Sequence, residues 1–233
     1  MKRNSMIKKE ISTIALHYQI FKFLNEHSKD YTEAEKQFIL KNYAWGKREE
    51  LVTDILRQIY DELGLLENDR NIYEGFIDLL AKNFDINRNI VEIGGGKIPS
   101  LAKKLALRQN HGTVTVYDDK LITTNTSIPN LKLIKRRLSE EERLQNTDMI
   151  IGFMPCEGTK TAIHLAQKNK LDFMIAFCEG SCHDESLFMY EEDWELNMLY
   201  EARKAIQRAS LGKLEKTYMK DYHNPYPIIY NKR

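Results

Sequence analysis

The chain has 233 residues, of which 42% are hydrophobic and 30% charged, and its 35 Lys and Arg nearly balance 34 Asp and Glu. This length and composition are typical of one large globular domain, or of one domain with a small addition, that buries a core without metal or disulfide support. The near-neutral charge excludes a protein that coats a polyanion, and the three cysteines argue against a disulfide framework.

No segment of the sequence is long and apolar enough to span a membrane, because the longest apolar run, 149–156, has eight residues where about 20 are needed. The basic N-terminus lacks the apolar stretch and the cleavage site of a signal peptide. We therefore expect a cytoplasmic protein without a membrane partner. Nothing in the sequence indicates an oligomeric state.

Residues 1–70 predict a helical N-terminal element, because apolar residues recur in them at helical spacing and Gly and Pro are few. The first helix carries one apolar face, formed by Ile11, Ile14, Ala15, Tyr18, Phe21 and Leu24. A second helix should begin at Thr32, where Thr32 and Glu35 have the spacing of a capping box. A third helix is predicted over 47–63, and Gly64 ends it.

A fourth helix is predicted over 71–83, with the apolar residues Tyr73, Phe76, Ile77, Leu80 and Ala81 on one side. After Asp85, short strand-like runs alternate with helical segments, which is typical of a parallel sheet covered on both faces. The predicted strands are 89–93, 113–117, 131–135, 149–153 and 173–177. The predicted helices after them are 100–108, 159–169 and 185–209.

The last two apolar segments, 214–220 and 226–231, predict an antiparallel hairpin instead of a crossover. The expected fold is therefore α/β, a three-layer, doubly wound and mostly parallel seven-stranded sheet with a C-terminal antiparallel hairpin. Residues 71–233 would form this Rossmann-like domain. Residues 1–70 would precede it as the helical element.

The strongest local signal is a glycine turn, Gly94 to Gly96, that follows the acidic end of a buried strand at Glu92. Glycines let the backbone turn sharply and keep no Cβ between the main chain and a ligand. A helix that opens at Pro99 offers free amides to an anion. The dinucleotide fingerprint requires a third spaced glycine where this chain has Pro99, so that pattern is not met.

An acid followed by a short glycine turn resembles motif I of the class I S-adenosylmethionine-dependent methyltransferases, and the closing hairpin resembles the end of that family's sheet. The resemblance covers roughly residues 70–233. It implies that Glu92, Gly94, Gly95 and Gly96 meet the methionine part of S-adenosylmethionine, the expected cofactor.

The same resemblance implies two further cofactor contacts. Asp118 follows the second predicted strand, and in the family an acid at that place holds the ribose hydroxyls, since a carboxylate accepts two hydrogen bonds at once. Met154 lies in the loop that borders the transferred methyl group in this fold. The chain is similar to a divergent member, because Ile98 replaces a family glycine and the connection over 120–130 is short for a helix.

The loop after the fourth strand carries Phe153, where family enzymes that methylate exocyclic amines of bases have an amide, a carboxylate or a hydroxyl. Amine chemistry of that kind is therefore disfavoured. Pro155 and Cys156, with Cys178 after the fifth strand, resemble the cytosine C5 enzymes that act on RNA, whose thiolate adds to the ring. Space-filling cysteines are the alternative interpretation.

His183 is a further catalytic candidate, as a general base for an oxygen or nitrogen acceptor. The spacing of Cys178, Cys182 and His183 is too loose to predict a metal site. Basic residues could form a phosphate-binding surface or a solvated face; they are Lys132, Lys135, Arg136 and Arg137, and later in the chain Arg203, Lys204, Arg208, Lys213 and Lys216.

These patterns favour an enzyme, a transferase that moves a methyl group from S-adenosylmethionine to an acceptor that is a small molecule or RNA. Positioning of donor and acceptor should supply much of the catalysis. Three alternatives belong to other classes: a non-catalytic module that binds S-adenosylmethionine or a nucleotide, an interaction protein that keeps only the fold, and an NAD-binding enzyme whose ribose Asp118 would hold.

Overall fold

The computed structural model describes residues 13–44, 72–177, 191–219 and 227–233, so the helix expected over 47–63 lies outside the described residues. Six helices and seven strands occur within these ranges. The helices are α1 (Thr13–Glu26), α2 (Glu33–Ala44), α3 (Ile72–Asn83), α4 (Ser100–Arg108), α5 (Gly158–Asn169) and α6 (Glu191–Ala209). None of the helices in these ranges has the length and apolar run that crossing a membrane requires.

The strands form one seven-stranded sheet. They are β1 (Ile90–Ile93), β2 (Val114–Tyr117), β3 (Leu131–Ile134), β4 (Met149–Phe153), β5 (Asp172–Ala176), β6 (Lys213–Tyr218) and β7 (Pro227–Lys232). Their order across the sheet is β3-β2-β1-β4-β5-β7-β6. The first five strands are parallel, and β7 runs antiparallel to both β5 and β6. The predicted fold class, including the closing hairpin, is confirmed.

The winding of the sheet reverses at β1, where Ile90 pairs with Val114 of β2 on one side and Met149 of β4 on the other. Helices α3 and α4 pack on one face of the sheet and enclose a core around Phe76. Helices α5 and α6 pack on the opposite face over Phe173 and Phe177. Because ligands of doubly wound sheets bind beyond the carboxyl ends of the strands where the winding reverses, the end of β1 is the place to look for a site.

The two outer parallel strands have one face that no described helix covers. β2 buries Val114 and Val116 in the first core, whereas Thr115 and Tyr117 on its other side are only half-buried, and Lys132 of β3 is exposed. The connections before and after β3 contain no helix, as expected for the first of them. The helices of the second face contact β1, β4, β5 and β6 instead.

The apolar face predicted for α1 is partly wrong. Tyr18 is 64% and Phe21 53% exposed, whereas Ile20, Phe23 and Leu24 are buried. The three buried residues have the three-and-four spacing of one face, which is rotated from the predicted one, and α1 contacts α2. In α3, the predicted core residues are buried except Ala81, which is exposed; the buried ones are Tyr73, Phe76, Ile77 and Leu80.

The start of α2 has the predicted capping box and an ion pair that the sequence did not reveal. The Thr32 amide donates to Glu35 Oε2 at 2.8 Å, and the Glu35 amide donates to Thr32 Oγ1 at 3.3 Å. Lys103 of α4 donates to both carboxylate oxygens of Glu35, at 2.8 and 2.7 Å, and to the carbonyl of Asp30 at 2.7 Å. Lys103 and Glu35 are both buried, so this pair joins the N-terminal helices to the sheet domain.

Candidate functional site

The three glycines after β1 have different surroundings. Gly94 and Gly96 have φ of +77° and +72°, which a residue with a Cβ would adopt only with strain. A Cβ at Gly94 would lie 2.8 Å from Pro155, and one at Gly95 would lie 2.6 Å from Val116 Cγ1. A Cβ at Gly96 would meet nothing within 4 Å. The first two glycines therefore permit close packing within the protein, and Gly96 faces open space.

Asp118 lies directly beside the glycine turn. Its Oδ2 accepts a hydrogen bond from the Gly96 amide at 2.8 Å, and its Oδ1 accepts one from the Lys120 amide at 2.7 Å. The parallel register of β1 and β2 places the two strand ends at the same edge of the sheet, as the pairing of Ile93 with Tyr117 shows. The structure thus brings together two predicted site residues that are 22 positions apart in the sequence.

Glu92 is buried beneath this turn, and its Oε2 has no hydrogen-bond partner in the part of the chain that the structure describes. The pKa of Glu92 is raised from its ordinary 4.5 to about 8, mainly because the side chain is buried; a hydrogen bond from the Ala102 backbone opposes the rise, and the charge of Asp118 adds to it. The carboxyl group is therefore mostly protonated near neutral pH.

The loop after β4 has an uncommon backbone. Met154 and Cys156 have φ of +53° and +51°, a region that costs non-glycine residues on the order of 1–3 kcal/mol each. Pro155 between them packs against Gly94, and the Met154 amide donates to the carbonyl of Ala176 at 2.9 Å. Strained residues of this kind cluster at functional sites. The predicted site residue Met154 therefore lies in a loop that touches the glycine turn.

Sequence reasoning missed the partners of Pro155. A Cβ at Gly152 would lie 2.9 Å from Pro155 Cγ, and one at Gly158 would lie 3.3 Å from Pro155 Cβ. Because Gly94 and these two glycines have no side chains, the proline ring has room to pack against all three. The signal in the sequence was a proline with a glycine three residues away on either side.

The side chain of Phe153 lies in an aromatic cluster. Its ring centroid lies 5.3 Å from that of Tyr73 and 5.5 Å from that of Phe76, both in edge-to-face geometry. The side chain is packed against the first core.

The catalytic candidates are only partly within the described residues. Cys156 is half-buried, and its Sγ lies 3.5 Å from the carbonyl of Met154. Cys178, Cys182 and His183 lie outside the described residues, so the pairing of two thiols at one pocket stays a prediction. Within the described ranges, no group of three or more His, Cys, Asp or Glu side chains could hold a metal ion.

An arginine joins the loops that follow β2, β3 and β4. Arg137 donates through Nε to Asp119 at 2.7 Å and through Nη1 to Glu157 at 2.9 Å. All three side chains are exposed, so each pair adds little stability. Arg137, predicted as part of a phosphate-binding cluster, is paired with acids instead.

The N-terminal element lies next to the glycine turn. Lys97 Nζ is 5.8 Å from the ring centroid of Phe38 on α2. The hydroxyl of Ser127, in the connection between β2 and β3, donates to the carbonyl of Lys29. Together with the pair between Lys103 and Glu35, these contacts place α2 beside the candidate site.

No protein-family model matches the chain, and no curated protein matches it. Solved structures with a similar fold include an S-adenosylmethionine-dependent O-methyltransferase from Thermotoga maritima, with a TM-score of 0.47 and 16% identity over 78% of this chain and 71% of the other. A TehB-like methyltransferase from Corynebacterium glutamicum has a TM-score of 0.48 and 11% identity over 77% and 95%. A human methyltransferase 10 domain containing protein has a TM-score of 0.49 and 12% identity over 95% and 98%.

At such low identity these likenesses concern the fold alone. The seven-stranded sheet with its antiparallel hairpin is the methyltransferase-type fold that the sequence predicts, so the resemblance to the class I methyltransferases is confirmed at the level of the fold.

Proposed function

We propose that this protein binds S-adenosylmethionine at the carboxyl end of β1 and transfers its methyl group to an acceptor. The observation that carries the proposal is the hydrogen bond from the Gly96 amide to Asp118, because it fixes an acid beside a glycine that faces open space. Each oxygen of Asp118 accepts one amide hydrogen bond and keeps a lone pair, so the carboxylate could also accept the two hydroxyls of a ribose.

The residues of the glycine turn fit the remainder of the cofactor. Glu92 offers a buried carboxyl oxygen without a partner among the described residues, and a cationic amino group near it would favour its ionised form. The bare main chain at Gly96 leaves room for the ligand. Bound S-adenosylmethionine supplies a methyl group on a positively charged sulfur, which is open to attack by a nucleophile.

The chain's own contribution to the reaction would be mainly positional. Asp118 would orient the sugar, and the contact of Pro155 with Gly94 would hold the loop after β4 against the turn. A fixed loop keeps donor and acceptor in one geometry, which lowers the entropic part of the barrier. Cys156 in this loop, together with Cys178 and His183, stays a candidate for direct chemistry.

The acceptor side would be covered by the N-terminal helices, since Phe38 of α2 lies close to Lys97, the residue after the glycine turn. The acceptor would be a small molecule or RNA. The aromatic packing of Phe153 argues against an exocyclic amine of a base as the methylated group.

Cofactor binding is tested by melting temperatures measured with S-adenosylmethionine, S-adenosylhomocysteine and NAD. Only a ligand that prefers the folded state raises the melting temperature. At a concentration about one hundred times its Kd, such a ligand adds about 2.7 kcal/mol to the free energy of unfolding. We expect the two adenosyl compounds to stabilise the protein and NAD to leave it unchanged. Stabilisation by NAD alone would replace the proposal with a dinucleotide-binding enzyme.

Asp118→Asn should weaken binding of S-adenosylhomocysteine by about tenfold or more, because one charged acceptor is worth roughly 1.5–3 kcal/mol. Asp119→Asn is the matched control, since the neighbouring acid is exposed and pairs with the exposed Arg137. Calorimetric titration of both variants measures the difference. Equal affinities for the two variants would remove Asp118 from the site.

A further inference from the structure

A groove of about 600 Å³ runs over the face of β2 and β3 that no described helix covers, and it reaches the start of β1. Thr115, Tyr117 and Lys132 line it from the sheet, and the segment 142–147 borders it from the loop before β4. Parallel sheets are usually covered on both faces, and their strands are then apolar on both sides. Here Thr115 and Lys132 stand on the groove side of the outer strands, so this face is suited to water or a polar ligand.

The groove carries positive charge that the described chain does not neutralise. Arg136 forms a bidentate ion pair with Glu142, in which Nη1 donates to Oε1 at 2.6 Å and Nη2 donates to Oε2 at 2.7 Å. Arg143 donates to the carbonyl of Lys168 at 3.2 Å, and neither Arg143 nor Lys132 has an acidic partner within the described residues. Two cations therefore remain for an anionic ligand.

The groove also offers a surface for stacking and neutral groups for hydrogen bonds. The guanidinium of Arg136 lies 4.9 Å from the ring centroid of Tyr117, and guanidinium planes and aromatic rings both stack on nucleobases. Side-chain hydroxyls and amides are groups that commonly bind phosphate oxygens. The groove lining contains five such residues, Asn89, Thr113, Thr115, Gln145 and Asn146.

We infer that this groove binds a single strand of nucleic acid through its phosphates. The two cations without an acidic partner among the described residues, Lys132 and Arg143, line the groove from different elements, β3 and the loop before β4. A concave groove with cations spread along it suits a flexible strand better than a duplex or a free nucleotide. The inference stands apart from the proposed methyl transfer, because binding in the groove requires no cofactor.

Fluorescence anisotropy with a labelled oligouridylate of about eight nucleotides tests the groove, in the absence of S-adenosylmethionine and between about 50 and 200 mM salt. The wild-type chain should bind, and its affinity should fall with salt. Lys132→Gln with Arg143→Gln should weaken binding about tenfold or more. The double variant should also reduce the slope of log K against log salt by about 1.4, since each phosphate contact to a single strand contributes about 0.7.

Lys213→Gln is the control variant. Lys213 is exposed on β6, the strand at the opposite edge of the same sheet, so its loss should leave the affinity within about twofold. Melting temperatures verify that all variants are folded. The inference is overturned if the wild-type chain does not bind at about 50 mM salt, if Lys213→Gln weakens binding as much as the double variant, or if free UMP competes as well as unlabelled strand.

Discussion

The carboxyl group of Glu92 illustrates what a single buried residue contributes to this site. Its place next to the glycine turn follows from the sequence, because a strand of four buried residues ends there. Its protonated state does not, because the raised pKa, about 8, depends on how the sheet and α4 enclose the side chain. A sequence motif therefore identifies the residue but not its charge.

Glu92 predicts a particular dependence of stability on pH. Between pH 4.5 and about 8 the folded chain holds a proton that the unfolded chain has lost. The contribution of Glu92 is therefore full below about pH 4.5, falls as the pH rises and levels off above about 8, a total change of roughly 5 kcal/mol at most. Glu92→Gln should remove this slope. At about pH 9 the free energy of unfolding of the variant should be higher than that of the wild type.

Urea denaturation of both proteins across this pH range provides the measurement. Glu26→Gln, an exchange of an exposed glutamate on α1, should keep the wild-type slope. Parallel curves for wild type and Glu92→Gln would show that Glu92 is ionised in the folded protein.

Among the elements, the link between α2 and α4 is the clearest contact that the sequence did not predict. The capping box of Thr32 and Glu35 is a local pattern and is confirmed. The pair between Glu35 and Lys103 joins residues 68 positions apart, and no local sequence pattern predicts it. The rotated face of α1 has the same origin, since the packing of one helix on another selects which of several apolar stripes is buried.

Glu35→Gln should destabilise the protein by about 3–5 kcal/mol, because it leaves the buried ammonium of Lys103 without its counter-charge. The amide oxygen of the glutamine can still cap the helix, so the loss reports on the ion pair. Thermal and urea denaturation measure the change.

Glu33→Gln, on the exposed side of the same first turn, should change stability by less than about 0.5 kcal/mol. Adding Lys103→Met to Glu35→Gln should restore part of the lost stability, since the unpaired charge is removed. A Glu35→Gln protein as stable as Glu33→Gln would mean that the pair does not form in solution.

For the molecule as a whole, the sequence predicts the sheet almost to the residue and leaves its surroundings open. Strand limits differ by one or two residues at most from the expected ones, because buried parallel strands are apolar runs between turn residues. The placement of the N-terminal helices, the uncovered face of β2 and β3 and the ring of Pro155 between glycines depend on contacts between distant segments. Periodicity carries no information about such contacts.

The antiparallel hairpin is held to the parallel part of the sheet by Asn231, whose side chain is fully buried. Its Oδ1 accepts from the Phe173 amide at 2.7 Å, and its Nδ2 donates to the carbonyl of Leu211 at 3.0 Å and to Asp172 at 2.8 Å. Asn231→Ala should cost about 2–5 kcal/mol, because a buried donor and a buried acceptor lose their partners.

Asn231→Asp should cost at least as much as Asn231→Ala, since a carboxylate there would face both Asp172 and a carbonyl oxygen. Lys232→Ala, at the exposed neighbouring position, is the control. Free energies of unfolding from urea titration measure all three. A stable Asn231→Ala protein would show that β7 is held by its backbone ladder alone.

The ion pair between α2 and α4 has a practical consequence for dividing the chain. The boundary near residue 70 stays a prediction, and the carboxylate of Glu35 lies before it while the ammonium of Lys103 lies after it. A truncated protein that begins at residue 71 would lack Glu35 and the helix that covers Lys103. The ammonium of Lys103 would then be solvated and would need no counter-charge, so cutting the chain there costs less electrostatically than removing Glu35 alone.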